Sequence, residues 1–306
     1  MAIVEPAAAA TLPAAVTGPE GGGTDLGEAR PLRADVWRRF RRNRLAMVGL
    51  AFIVLLVIVA IFAPLIAPYS FTERSSEFRQ GPSADHWFGT DAIGRDVFSR
   101  IVYGARVSLR IGFSATAISL VIGLLLGALA GFIGGITDTA ITRIIDVFLA
   151  IPYIVLAVAI ASVMGRSENA IILVLGLTGW LAMARIVRSS FLSLKRYEYV
   201  EAATALGFSK LRVMFRHILP NALQPIIVYG TIAVGSVILA EAALSFLSVG
   251  PQPPTPAWGL MVADGKGSLT NAPHLMFFPG AAIFLTVLAF VFVGDGLRDA
   301  LDPKLK

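Results

Sequence analysis

The sequence predicts an all-α protein, a polytopic membrane bundle of six transmembrane helices. Three observations point there. Of 306 residues, 56% are hydrophobic and 15% charged, and the mean hydropathy is +0.75; a soluble domain of this size needs far more polar surface. Six long apolar stretches follow one another: 45–67, 108–133, 144–164, 170–187, 226–249 and 277–294. Finally, Lys and Arg are unevenly placed. With the N-terminus inside, inner segments carry 18 basic residues and outer ones 7, the direction expected for cytoplasmic loops. Both termini are therefore expected in the cytoplasm.

The elements follow in order. Residues 1–34 are rich in Ala, Pro, Gly and Thr, with acids at Glu5, Glu20, Asp25 and Glu28. Lacking a basic start and an apolar run, they read as a disordered cytoplasmic tail and not a signal peptide. Seven Arg lie between Arg30 and Arg44. Alone they fit a basic surface helix, a nucleic-acid arm or the flank of a membrane anchor. The uncharged run Leu45 to Ala67, 23 residues long, decides for the anchor, since about 20 helical residues cross a hydrocarbon core. No nucleic-acid partner is implied, despite a net charge of +6.

Along the second span, Ser119, Gly123, Gly127, Gly131 and Gly135 recur every four residues, a stripe on which another helix packs closely. Pro152 interrupts the third span and predicts a kink. Asp146, three residues after Arg143, reads as that Arg's partner. Glu241 stands alone in the fifth span. An acid there costs about 2.5–3.5 kcal/mol on insertion scales, so it belongs inside the bundle or beside water. It reads equally as a translocation-path residue or as a hydrogen-bonded packing residue.

No catalytic residues are found. There is no Cys, and the three His are scattered, so disulfides, thiol catalysis and a metal site are not expected. "GLMVADGKGS" at 259–268 has the wrong glycine spacing for a nucleotide loop and Gly267 where Ser or Thr must reach magnesium.

Residues 198–221, "EYVEAATALGFSKLRVMFRHILPN", look unlike the apolar runs around them. Tyr199, Ala202, Ala203 and Leu206 fall at helical spacing, as do Leu211, Met214, Phe215 and Ile218. Gly207 breaks the first helix, Ser209 caps the second and Pro220 should stop it. The prediction is a helical hairpin on the cytoplasmic face, either a simple connector or a docking element.

This segment resembles the coupling-loop motif of ABC importer permeases: Glu-Ala-Ala, three residues, Gly, then nine residues and a hydrophobic–Pro ending. Glu201, Ala202, Ala203 and Gly207 match it. "FGTDAIGRDVFSRIVYGARVSL" (88–109), "QPPTPAWG" (252–259) and "GDGLRDALDP" (294–303) resemble the C-type subunit of the dipeptide/oligopeptide/nickel permease family. The resemblance covers about residues 35–306, implying one type I ABC importer permease domain there, in the bacterial inner or plasma membrane. Ser248–Val249 and Val291 depart from the usual Gly-Leu and Asn, so substrate contacts are not carried over there.

The resemblance implies a heterodimer with a homologous B-type permease, two cytosolic ABC ATPases that bind ATP and Mg, and an extracytoplasmic solute-binding protein. This chain itself would bind no cofactor. It would form half of a pore for peptides or a related small solute. Glu201, Ala202, Ala203 and Gly207 would couple it to the ATPases, and Asp91 and Gln252 in the outer loops would meet the binding protein. The alternative is an ion-coupled carrier with Glu241 as the coupling-ion site; a membrane scaffold that transports nothing is a third reading.

Overall fold

The computed structural model describes residues 32–302. The tail expected over 1–34 lies outside them apart from its last three residues, which already belong to the first helix. Helix α1 (Leu32–Arg42) carries Arg39, Arg41 and Arg42 in its last turn, where cations complement the helix dipole. Asn43 then caps α2 (Arg44–Ile61), its side chain accepting from the Ala46 amide, and a short turn α3 (Ala63–Ile66) follows.

Residues 67–96 form an irregular cap. Asp96 ends it and starts α4 (Val97–Ile133) by accepting from the Ser99 amide at 2.7 Å. At 37 residues, α4 is about 55 Å long, well beyond the roughly 30 Å hydrocarbon core. It runs from the cap to the opposite end of the bundle, where the 198–221 hairpin lies.

Helix α7 (Glu168–Leu194) forms the most extensive helix pair with α4, and the stripe of small residues explains why. A Cβ on Gly123 would lie 2.6 Å from the Met183 side chain, one on Gly127 2.5 Å from the Ala184 carbonyl, and one on Gly131 2.7 Å from Phe191. Ser119 Oγ donates to the Gly176 carbonyl at 2.9 Å. Gly135 is not part of this contact. It opens the next helix with a positive φ of 58° and free space around it.

The third span corrects the expectation of one kinked helix over 144–164. It is two helices, α5 (Gly135–Leu149) and α6 (Tyr153–Met164), bent by 87° across residues 150–152. Pro152 has no amide hydrogen to continue α5 and instead begins α6. Two ion pairs hold α5 against α7: Asp138 with Arg188, including a 2.7 Å Oδ2–Nη2 bond, and Asp146 with Arg185 at 3.0 Å. Arg185, across the helix pair, therefore takes the place expected of Arg143.

Residues 198–221 comprise α8 (Glu198–Ala205), α9 (Lys210–Val213), a π-helical turn over Met214–Ile218 and the start of α10 (Leu219–Phe246). Pro220 does not stop the second hairpin helix. It sits where the π-helical turn over Met214–Ile218 passes into α10, and that widened turn accommodates its missing amide. The Leu219 amide reaches back to the Met214 carbonyl, so one continuous helix runs over Lys210–Phe246.

The chain closes with α11 (Trp258–Gly265) and α12 (His274–Leu301). Gly49 of α2 faces the Ala289 carbonyl of α12, where a Cβ would approach to 2.8 Å. Among the described residues, five helices are long and apolar enough to cross a membrane, and the bent α5–α6 pair makes a sixth if counted as one span. The six-span prediction holds on that count.

Candidate functional site: the α8–α9 hairpin and the 67–96 cap

Helix α8 ends in a two-bond cap. Gly207 donates its amide to the Thr204 carbonyl at 3.0 Å, and Phe208 donates to Ala203 at 3.2 Å. This geometry places the residue after the helix in the left-handed region, and Gly207 has φ 79°. Ser209 Oγ accepts from the Arg212 amide at 3.4 Å and opens α9. The ring of Phe208 is covered by the Arg212 guanidinium at 4.6 Å and stacks on His217 at 5.9 Å.

The hairpin is anchored by Val200, Ala203, Val213 and Ile218. All four are buried and pack with Met183, Val187 and Phe191 of α7 and Ala222 and Ile226 of α10. Of the other residues of the two expected apolar stripes, Met214 is partly buried against this cluster and the rest are exposed. Leu206 is 76% exposed, Leu211 67%, Phe215 58% and Tyr199 41%. Ala203 alone points inward among the four motif residues; Glu201, Ala202 and Gly207 are exposed. No hydrogen bond or ion pair engages the Glu201 carboxylate among the described residues. A cleft of about 600 Å³ separates the hairpin from the end of α4, lined by Phe132, Lys195, Glu201, Phe208 and Lys210 among others. The hairpin thus offers an apolar face beside the unpaired carboxylate of Glu201.

At the opposite end lie the two expected contact residues, Asp91 in the cap and Gln252 in the segment between α10 and α11. Asp91 is buried, and its carboxylate accepts from the Ile93 and Arg95 amides at 3.0 Å, from Arg95 Nε at 2.6 Å and from Arg100 Nη1. Burial by itself would raise the Asp91 carboxyl, but the Arg95 and Ile93 amides and the Arg100 and Arg95 guanidiniums outweigh it and hold it below the usual carboxylate range. Asp91 therefore organises the cap from within. Gln252 is exposed, with Nε2 3.4 Å from the Gly250 carbonyl. Asp264 of α11 stands 3.9 Å from Arg95 Nη2 and 4.0 Å from Arg100 Nη2, linking α11 to the cap and the start of α4. The alternating charges of "TDAIGRDVFSR" were the available sign of this network; its partner Asp264, more than 160 residues on, gave none.

Glu241 is 1% exposed. Ser245 Oγ donates to its Oε1 at 2.7 Å, while Oε2 has no partner among the described residues. It lines none of the described cavities.

Residues 123–306 match the family described as binding-protein-dependent transport system inner membrane component, and residues 31–82 match the N-terminal TM domain of oligopeptide transport permease C. The dipeptide transport system permease protein DppC of Alkalihalophilus pseudofirmus is 46% identical over 89% of this chain and 90% of its own length. The oligopeptide transport system permease protein OppC of Bacillus subtilis is 45% identical over the same shares. A glutathione transport system permease protein, GsiD of Escherichia coli, is 46% identical over 89% of this chain and 90% of its own. Among solved structures, an inward-facing MetNI methionine ABC transporter aligns with TM-score 0.57 and 22% identity, covering 66% of this chain and 97% of that one; it supports the fold. With its apolar helices, this chain is a multi-pass protein of the bacterial inner membrane, and it belongs to the binding-protein-dependent transport system inner membrane components as a C-type ABC importer permease subunit.

Proposed function

We propose that this permease subunit forms half of a peptide-conducting pore and takes its energy from cytosolic ATPases through the 198–221 hairpin. The supporting observation is the division of that hairpin. Val200, Ala203, Val213 and Ile218 fix it to the bundle, while Leu206, Leu211, Phe215 and the unpaired Glu201 face outward. Buried anchors tie its position to α7 and α10, so a partner that moves the hairpin moves those helices. An exposed apolar face rimmed by charge is suited to a protein groove. The ATPases would carry ATP and Mg; this chain supplies the lever.

In this reading the N- and C-termini and the hairpin lie in the cytoplasm. Residues 68–107 and 250–276 face outward, where Gln252 meets the solute-binding protein and Asp91 keeps the surface in shape behind it. A homologous B-type permease forms the other half of the pore. Peptides are favoured as the solute because relatives about 46% identical are named for dipeptides, oligopeptides and glutathione.

The test uses Glu201→Lys, which reverses the motif charge argued to meet the ATPase. The variant should insert and pair with the second permease normally, but lose the ATPases on purification and lose uptake. Normal co-purification and uptake would refute the coupling role. Labelling of Ser76→Cys from the cytoplasmic side alone would overturn the orientation.

A further inference from the structure

Resting on the peptide-importer reading, we infer that the cavity at the α5–α6 bend is a solute subsite that binds the uncharged main chain of a peptide in transit. The cavity has a volume of about 290 Å³ and lies between α4, α6, α7 and α10. On α4 it is bordered by Thr116 and Ser119, near the middle of a 37-residue helix. It therefore lies midway along the bundle, away from both the hairpin and the cap, and opens at its side beside the exposed Phe148, Ile151 and Ser236.

Its chemistry is specific. No Asp, Glu, Lys, Arg or His lines it, whereas six hydroxyls do: Thr116, Ser119, Tyr153, Thr178, Tyr229 and Ser236. Three of these have already committed their hydrogens. Ser119 donates to the Gly176 carbonyl at 2.9 Å, Thr178 to Val174 at 2.7 Å and Ser236 to Ile232 at 3.3 Å. Their oxygens keep lone pairs and can only accept further. Thr116 Oγ1 is buried with no partner among the described residues, and the Tyr229 phenol is a donor by nature; the Tyr153 phenol is already engaged with Thr178.

A peptide group needs both. Its N–H requires an acceptor and its carbonyl requires a donor, and this wall combines acceptor-only oxygens with hydroxyl donors. A charged end or side chain would find no counter-charge there and would lose its hydration uncompensated. Main-chain recognition without a charged contact accepts many side chains equally. The subsite would then pass peptides of varied sequence and leave selection to the binding protein.

The test uses the complete importer, with partner permease, ATPases and binding protein, in proteoliposomes. The probe is an equimolar mixture of pentapeptides of Gly, Ala and Val, whose central peptide groups lie away from both charged ends, followed by mass spectrometry. Thr116→Val and Tyr229→Phe each remove one hydroxyl with little change of shape, and each should lower uptake roughly three- to tenfold. ATP hydrolysis stimulated by the binding protein should stay unchanged, because the lever is untouched. A second measurement does not depend on those variants. The native chain has no Cys, so Ser236→Cys gives one reporter, and turnover with the peptide mixture should suppress its labelling by a small neutral thiol reagent. Undiminished uptake in both variants, or labelling that peptides do not alter, would overturn the subsite. Absence of peptide uptake by the wild-type complex would instead overturn the peptide-importer reading, and this inference with it.

Discussion

Gly207 gives the sharpest test of how the hairpin works, because its surroundings separate two effects. It has φ 79°, and a Cβ built on it would meet nothing within 4 Å. Substitution therefore adds backbone strain and no clash. For an L-residue the left-handed conformation costs about 1–2 kcal/mol, equivalent to a factor of roughly 5–30 in a two-state population. Val200 and Ala203 anchor the helix before the turn and Val213 the one after it, so neither helix can drift to relieve the strain, which falls on the turn. Asn tolerates this region and a β-branched residue does not. The expected order of ATPase affinity is Gly207 wild type, then Asn close behind, then Ala weaker by up to that factor, then Val weakest. The assay titrates ATPase subunits onto the permease pair in nanodiscs and reads binding together with ATP hydrolysis. Crowding would rank the variants by side-chain size, with Ala best tolerated and Asn worse. Finding that order, or four equal affinities, would refute the backbone argument.

Two further outcomes are expected. Gly127→Val should lower the yield and thermal stability of the folded chain by overpacking, about 1–3 kcal/mol, since its Cβ would lie 2.5 Å from the Ala184 carbonyl and 2.7 Å from Val187 Cβ; wild-type melting in detergent would contradict the packing described for α4 and α7. Glu241→Gln should assemble and transport normally, because an amide oxygen can still accept from Ser245, whereas Glu241→Leu should lose about 1–3 kcal/mol by leaving that hydroxyl unpaired. A Gln variant that assembles but fails to transport would show that the charge itself is used.

What was legible in the sequence was whatever a single helix can express alone. The apolar runs located the spans, the four-residue glycine repeat identified the face of α4 that meets α7, and Gly207 with Ser209 marked the hairpin turn. What stayed hidden needed a second element. Asp146 is nearest in sequence to Arg143 but pairs with Arg185, because the close approach of α4 and α7 fixes where α7 meets α5. Pro152 announced a break, but the 87° bend also depends on Asp138 and Asp146 holding α5 to α7. The hairpin stripes misled for the same reason. Alternation among Ala, Leu, Val and Phe gives a helix an apolar side, but which side is covered depends on the end of α4 and the body of α7. The cavity is the extreme case: each of its hydroxyls is unremarkable in its own helix, and only four helices together bring acceptors and donors to one wall. The exposed stripe on the hairpin has a physical consequence. Leu206, Leu211 and Phe215 remain exposed, and moving one such side chain from water into a protein groove is worth about 1.5–3 kcal/mol. That unburied area is available to drive association, while the unpaired Glu201 beside it favours a partner that presents a basic group.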